Sequence, residues 1–283
     1  MRGTEASNLD RTFVLGVGAQ KAGTTWLSDY LRADEKYRFG AIKEKEFHVW
    51  DRKDLPMFAP PKRRVSTLRS KGQFLLRAMG KFDSVYFRYF GSLLRNGGIA
   101  ADITPSYAGL SAARYAQINQ GFRRQGIQVK TVFMMRDPVS RCVSGFNMSM
   151  HKASKNLMAG DVAADRNADA VFLDFIETEG SRMRSDYLST LAALREGFAP
   201  SQIKVLIYEN LFEPETIRDF SEFFGVGFFP DRADIKSNVA KKKIQVSDEA
   251  LSKCALMLRD TYEGIGQEFP QVRSLWRGYQ YFR

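Results

Sequence analysis

A lysine and two threonines lie between a short apolar segment and a helical pattern near the start of the chain. Phe13–Val17 has the length and β-branched content of a strand, and apolar residues recur at helical spacing over 26–31. Unpaired N–H groups at a helix start, together with the helix dipole, attract anions. Lys21 adds a full positive charge, and Gly23 lets the backbone approach a ligand. The pattern predicts a phosphate-binding loop.

The loop differs from the Walker A pattern G-x-x-x-x-G-K-[ST]. Gly18 and Gly23 have its spacing, but Thr24 stands where the lysine would be, and the lysine comes earlier as Lys21. The loop therefore indicates an anion site of open nucleotide class, with a purely structural turn as the alternative.

A second strand-to-helix corner follows the clearest predicted strand, Val129–Asp137. Its polar end is Arg136-Asp137, Asp137 suits a helix N-cap, and Pro138 suits the first helical position. Ser144 lies in the second turn of the predicted helix. The corner is either another anion site or a plain strand–helix junction with an arginine in solvent.

A carboxylate and a histidine stand two residues apart in the stretch Arg38–Asp51. Glu46 or His48, placed near a phosphate loop, could accept a proton from an attacking hydroxyl. The alternative is a solvated charge run that leads into a buried strand. His151, the other histidine, is expected at the surface, and no cluster has metal-ligand spacing.

The composition favours an anionic partner and no disulfide framework. Lys+Arg 43 against Asp+Glu 32 gives a net charge of +11 over 283 residues, which suits nucleotides, polyanionic glycans, nucleic acid or acidic membranes. Two cysteines, Cys142 and Cys254, are expected to be buried free thiols. The N-terminus lacks a signal-peptide apolar region and no run approaches a membrane span, so the chain is expected to be cytoplasmic. A domain trimmed from an anchored protein would have the same features.

Predicted strands alternate with predicted helices along the chain. This alternation indicates an α/β fold with a central, mostly parallel sheet flanked by helices, whose ligands bind beyond the carboxyl ends of the strands. We expect one domain over 1–283, an irregular excursion on the acceptor side over 51–97, a mobile loop over 153–170, and a final amphipathic helix over 250–262.

Together these stretches resemble the PAPS-dependent sulfotransferases, where PAPS is 3′-phosphoadenosine 5′-phosphosulfate. Gln20–Thr25 is similar to the 5′-phosphosulfate loop K-x-G-T-[TS], and 136–144 is similar to the 3′-phosphate motif R-D-P-x-x-R-x-x-S. Glu46–Asp51 and Asp102–Tyr107 resemble the E-x-H-F-F-D and E-K-T-P-x-Y stretches of the heparan sulfate and other glycosaminoglycan enzymes. The chain departs from them at Ile103, where many carry a lysine, and at Asp102, which replaces a glutamate.

The resemblance implies a P-loop-like three-layer fold and a role for each matched residue. Glu46 would be the catalytic base, His48 an auxiliary active-site histidine, and Lys21 would neutralise the phosphate leaving group. Donor contacts are then expected from Gln20, Lys21, Ala22, Gly23, Thr24, Thr25, Trp26, Arg136, Ser144, Ser185, Tyr187, Lys241 and Lys243.

The function expected on this basis is transfer of a sulfuryl group from PAPS to a hydroxyl, or as second choice an amine, without a metal. The acceptor would be a glycan, a lipid or a small molecule, and no nucleic acid partner is expected. Two alternatives stay open: a P-loop-type nucleotide kinase or NTPase, and a non-catalytic polyanion-binding protein.

Overall fold

A four-stranded parallel sheet forms the centre of the protein. The structure is a computed structural model that describes residues 10–59, 70–156, 167–232 and 244–282. The strands of the sheet are β1 (Arg11–Gly18), β2 (Gly98–Ile103), β3 (Gln128–Met135) and β4 (Ile203–Ile207). They lie in the order β2-β1-β3-β4, and every neighbouring pair is parallel. This confirms the predicted α/β fold.

β1 is an interior strand, because β2 and β3 pair with its two edges. Phe13 lies opposite Ala100 of β2 and Val129 of β3. Every residue of β1 after Arg11 is buried, so both faces of the strand are covered. A parallel strand buried on both faces reads as a continuous apolar run, which is why 13–17 was recognisable in the sequence.

Helices connect and cover the strands of this sheet. Short 3₁₀ helices also follow β2 over Pro105–Gly109 and β4 over Tyr208–Asn210. In the described residues the α-helices are α1 (Thr24–Arg32), α2 (Trp50–Asp54), α3 (Lys71–Lys81), α4 (Asp83–Leu93), α5 (Ala112–Arg123), α6 (Pro138–Asn156), α7 (Ala168–Glu177), α8 (Glu179–Ser185), α9 (Tyr187–Gly197), α10 (Pro214–Phe224), α11 (Asp248–Met257), α12 (Arg259–Glu268) and α13 (Val272–Leu275).

The stretch 51–97 is helical over most of its described part, so the prediction of an irregular excursion was wrong there. α4 places aromatic side chains in the core: Tyr86 and Phe90, four residues apart, are buried against Phe13 of β1. That spacing is typical of a helix, but the neighbouring prolines and basic residues favoured the prediction of an irregular segment. Residues 60–69, which include two of those prolines, lie outside the described residues.

The C-terminal part also differs from prediction. The single final helix over 250–262 is two helices, because Leu258 leaves helical geometry between α11 and α12, with φ −105° and ψ 14°. α13 then follows, so neither helix is the last. The two ends of the predicted mobile loop over 153–170 belong to α6 and α7, and residues 157–166 lie outside the described residues.

The strand order creates a crevice where β1 and β3 lie side by side. The chain passes from β1 to β2 on one side and then crosses to β3 on the other. Ligands of open parallel sheets bind beyond the carboxyl ends of the strands at such a switch point. The two sequence-predicted anion corners follow β1 and β3, so the topology brings them to the same crevice.

Replacing Phe13 by alanine should destabilise the fold strongly. Its fully buried ring stacks on Phe122 with centroids 4.0 Å apart and contacts Phe90 at 4.6 Å. We expect a loss of about 3–5 kcal/mol in the free energy of unfolding, measured by urea titration. Phe74→Ala is the matched control, since that ring is 60% exposed, and equal losses in the two variants would contradict this account of the core.

Candidate active site

The loop between β1 and α1 turns through left-handed backbone conformations. Lys21 has φ 73° and Gly23, the N-cap of α1, has φ 93°. Glycine is favoured at position 23 because its φ is positive, and a Cβ there would lie 2.9 Å from Leu211 Cδ2. The N-cap carries no side-chain hydrogen bond, so the amides that begin α1 keep their capacity to bind an anion.

The corner after β3 is fixed from several sides. Arg136 stacks over the Tyr208 ring, with its guanidinium carbon 4.5 Å from the ring centroid. Its carbonyl accepts a hydrogen bond from Tyr187 Oη at 2.8 Å. The buried Asp137 carboxylate accepts hydrogen bonds from Ser140 Oγ at 2.7 Å and from Tyr262 Oη. These contacts hold the corner in place, and the Asp137 carboxylate is already occupied by hydrogen-bond donors.

The two corners are in direct contact. Arg136 Nη1 donates a hydrogen bond to the Lys21 carbonyl oxygen at 2.9 Å. A single arginine therefore spans the crevice between β1 and β3. A ligand with two anionic groups could reach both corners from this point.

Several cations surround the loop. Burial lowers the pKa of Lys21, and the positive charges of Arg136, Lys152 and Lys45 lower it further. Among the described residues, neither Lys21 nor Arg136 nor Lys152 forms a salt bridge with a carboxylate. Repulsion among these charges is relieved when an anion binds between them.

The Glu46 carboxylate lies beside this cationic loop. Lys45 Nζ is 2.8 Å from Glu46 Oε1 and donates a hydrogen bond to Thr24 Oγ1 at 3.4 Å. One ammonium group therefore bridges the predicted base and the first residue of α1. Glu46 is about one-third exposed, so its carboxylate remains accessible to a substrate.

Glu46, His48 and Asp51 form a hydrogen-bonded chain. His48 Nε2 lies 3.1 Å from Glu46 Oε2, and His48 Nδ1 lies 2.6 Å from Asp51 Oδ2. Asp51 is fully buried and also accepts a hydrogen bond from Ser106 Oγ. The imidazole is held between two carboxylates.

This arrangement favours the charged form of every member. Burial opposes ionisation of Glu46, but hydrogen bonds from His48 and Lys45 outweigh it and lower the pKa of Glu46 to about 2. Burial likewise opposes protonation of His48, yet its hydrogen bonds to Asp51 and Glu46 raise the pKa of His48 to about 9. His48 is thus an imidazolium at neutral pH and donates from both ring nitrogens.

A buried carboxylate at the end of β2 fixes the backbone of the Glu46 stretch. Asp102 Oδ1 accepts a hydrogen bond from Thr104 Oγ1 at 2.6 Å, and Oδ2 accepts from Tyr86 and Tyr107 at 2.9 Å each. The same Thr104 hydroxyl accepts from the amide of residue 47 at 3.0 Å, and Tyr107 Oη accepts from that of residue 49 at 3.1 Å. His48, between them, is held at φ 51°.

Other residues predicted as donor contacts lie in different surroundings. Trp26 is buried, packs against Phe212 and Phe220, and donates Nε1 to the Arg232 carbonyl at 2.9 Å. Ser185 and Tyr187 are buried as well; the Ser185 hydroxyl accepts from Arg141 Nη2 at 2.5 Å.

The side chains of Trp26, Ser185 and Tyr187 are therefore buried and already have partners within the protein. Their assignment as donor contacts stays a prediction, as does that of Gln20, Ala22, Thr25 and Ser144. Lys241 and Lys243 lie outside the described residues.

Sequence reasoning passed over several residues of the site. Lys45 and Lys152 looked like ordinary surface charges, and only the folded chain brings them to the loop. The family resemblance gives Asp51 no role, although its position three residues after His48 is a usable signal. It marks Asp102 only as a replacement of glutamate.

The described residues contain neither a metal-binding cluster nor a membrane-spanning helix. No group of three or more histidine, cysteine, aspartate or glutamate side chains there could hold a metal ion. In the same part of the chain, no helix is both long and apolar enough to span a bilayer. Cys142 and Cys254 are buried free thiols, as predicted.

Comparison with protein families gives one match over most of the chain. A family model described as "Sulfotransferase domain" matches residues 11–245. No curated protein matches the chain in sequence.

Two solved sulfotransferase structures are similar to this chain. A sulfotransferase from Alicyclobacillus acidocaldarius superimposes with a TM-score of 0.56 at 16% identity, covering 91% of this chain and 94% of that one. The sulfotransferase STF9 from Mycobacterium avium gives a TM-score of 0.47 at 13% identity, covering 89% and 77%. The first likeness supports a shared fold; the resemblance to glycosaminoglycan enzymes in particular stays a prediction.

The raised pKa of His48 can be measured directly, because the chain contains 2 histidines. We expect NMR titration of its imidazole to give a pKa near 9, and Glu46→Gln should lower that value because one of two carboxylate partners is lost. The variant His151→Gln assigns the signals. An imidazole of His48 that titrates near 6.5 in the folded protein would contradict the chain of hydrogen bonds.

The same shift predicts how stability depends on pH. A folded-state pKa above the unfolded value of 6.5 stabilises the protein below pH 6.5, and this contribution is lost as the pH rises through about 9. We expect urea unfolding to show a loss of about 1–3 kcal/mol between these limits, and His48→Gln should remove most of it.

Proposed function

The chain belongs to the sulfotransferase family, and from that premise we propose that it transfers a sulfuryl group from PAPS to a hydroxyl group, with an amine as the second choice. The acceptor is a glycan, a lipid or a small molecule. The donor binds at the carboxyl ends of β1 and β3, and Glu46 serves as the base.

One observation supports this proposal: the two cationic strand-to-helix corners and the Glu46 carboxylate meet at a single crevice. Arg136 reaches the Lys21 carbonyl at 2.9 Å, and Lys45 links Thr24 to Glu46. PAPS carries one phosphate on the 3′ oxygen and another on the 5′ oxygen of its ribose, which suits two adjacent corners. The left-handed loop and the unneutralised cations fit the 5′ end, and Arg136 fits the 3′-phosphate.

Each side chain has a chemical task in this proposal. Bound PAPS supplies the sulfuryl group, whose bond to the phosphate oxygen breaks as the acceptor oxygen bonds to sulfur. Glu46 accepts the proton of the attacking hydroxyl and later releases it to solvent. Lys21 and the start of α1 stabilise the negative charge that develops on the phosphate oxygen. His48, already protonated, holds Glu46 in place.

The two alternative functions have less support. A P-loop kinase needs a lysine where Thr24 stands and a carboxylate for Mg²⁺; the Asp137 carboxylate is occupied by Ser140 and Tyr262. A passive polyanion binder fits the net charge of +11 but gives no reason for the Glu46–His48–Asp51 chain beside the loop.

Adenosine 3′,5′-bisphosphate should stabilise the protein more than ADP does. A ligand at one hundred times its Kd adds about 2.7 kcal/mol to the stability of the folded state, which corresponds to about 5 °C or more in Tm for a chain of this size. ADP lacks the 3′-phosphate. Arg136→Ala should remove most of this preference, as measured by thermal shift and calorimetry.

Arg195→Ala is the matched control, because Arg195 is exposed and pairs with Glu268. Equal stabilisation by the two nucleotides would reject the donor assignment. Salt-sensitive heparin binding without a nucleotide preference would favour the polyanion binder instead.

Glu46→Gln should strongly reduce turnover and retain nucleotide binding. The amide cannot accept a proton, so we expect sulfate transfer from PAPS to a panel of hydroxyl acceptors to fall about 10²–10⁴-fold. Glu44→Gln, at an exposed position two residues earlier, should be close to wild type. Near-normal transfer by Glu46→Gln would exclude Glu46 as the base.

A further inference from the structure

We propose that Lys45 is a positioning residue that exchanges its ammonium group between the Glu46 carboxylate and an anion in the Gln20–Thr25 loop, so that the base is released when the loop is filled. The proposal rests on the function proposed above. It assigns a role to a side chain that neither the motifs nor the family match marks.

The contacts of Lys45 suit such an exchange. Its Nζ is 2.8 Å from Glu46 Oε1 and 3.4 Å from Thr24 Oγ1. Its backbone is anchored, because the carbonyl of Lys45 accepts a hydrogen bond from the Ile103 amide at 2.9 Å. The flexible four-carbon stem lets the ammonium move while the backbone stays fixed. A small rotation therefore suffices to transfer the charge to the loop.

The electrostatics favour movement toward a bound anion. Lys45 is among the cations whose charge lowers the pKa of Lys21, after burial, Arg136 and Lys152. Of these cations and Lys21, Lys45 is the one that forms a salt bridge with a carboxylate in the described part of the chain, and its partner is Glu46. A phosphate carries more charge than one carboxylate, so it competes with Glu46 for the ammonium.

Release of Lys45 changes the carboxylate it leaves. The pKa of Glu46 is about 2, as burial is outweighed by hydrogen bonds from His48 and Lys45, and a carboxylate this acidic is a weak base. The other charged groups near Glu46 are His48 and, through it, Asp51 on α2, together with Arg184 on α8. When the Lys45 ammonium has moved to an anion in the loop, the pKa of Glu46 rises and the Glu46 carboxylate accepts a proton more easily.

The exchange can be followed by NMR of ¹³C-labelled glutamate, with Glu46→Gln to assign the signal. In the free protein Glu46 should remain ionised down to pH 4. Saturating adenosine 3′,5′-bisphosphate should bring its titration into the range above pH 4, because a 5′-phosphate then occupies the loop. Adenosine 3′-monophosphate, which lacks the 5′-phosphate, should leave the Glu46 titration unchanged.

Variants at position 45 test the residue itself. Lys45→Gln should bind adenosine 3′,5′-bisphosphate about tenfold more weakly, and its Glu46 should already titrate at higher pH without ligand. The nucleotide should then add less than half of the wild-type change. Lys45→Arg should restore both behaviours, and Lys43→Gln, at an exposed position in the same stretch, should match wild type.

The outcomes separate this inference from the proposed function. If the bisphosphate binds wild type and Lys45→Gln equally, or leaves the Glu46 titration of wild type unchanged, the exchange is wrong although the donor site stands. If the bisphosphate does not bind wild type at all, the donor site itself is wrong.

Discussion

The structure of the site depends on the buried carboxylate of Asp102. Burial raises the pKa of this group to about 6, against the hydrogen bonds that stabilise its charge. Four hydrogen-bond donors pair with this carboxylate. Two of these donors, the hydroxyls of Thr104 and Tyr107, also accept hydrogen bonds from backbone amides in the stretch that carries Glu46. An unpaired carboxylate at this depth would be costly, so the network forms as a whole. It connects the end of β2 to the stretch that carries Glu46.

Charge at the crevice is neutralised unevenly, and this unevenness is what suits an anionic donor. Asp51 and Glu46 flank a protonated His48, so the charges in that chain of hydrogen bonds largely neutralise one another. Lys21 and Arg136, in contrast, lie close together and form no salt bridge with a carboxylate among the described residues. The protein bears this repulsion in the free state, and a bound phosphate would relieve it. Lys45 lies between the two regions and contacts both.

The parts that sequence reasoning predicted are those set by local chemistry. The apolar run of β1, the glycine N-cap of α1, and the Asp137-Pro138 start of α6 are each dictated by residues within a few positions of one another. The Glu46–His48 pair was recognisable for the same reason. The helices over 71–93 were not predicted, because the prolines and charges of this stretch indicate a loop whereas the four-residue spacing of Tyr86 and Phe90 indicates a helix. The break at Leu258 had no composition signal.

Sequence by itself determined the family, the alternating α/β pattern, and which residues could bind phosphate or accept a proton. Only the tertiary structure decided how these groups interact. The parallel order β2-β1-β3-β4 places residues from separate segments side by side, so that Arg136 reaches Lys21 over 115 positions of chain. The protonation states of Glu46 and His48 were decided there as well, because burial and partners set a pKa and spacing along the chain specifies neither.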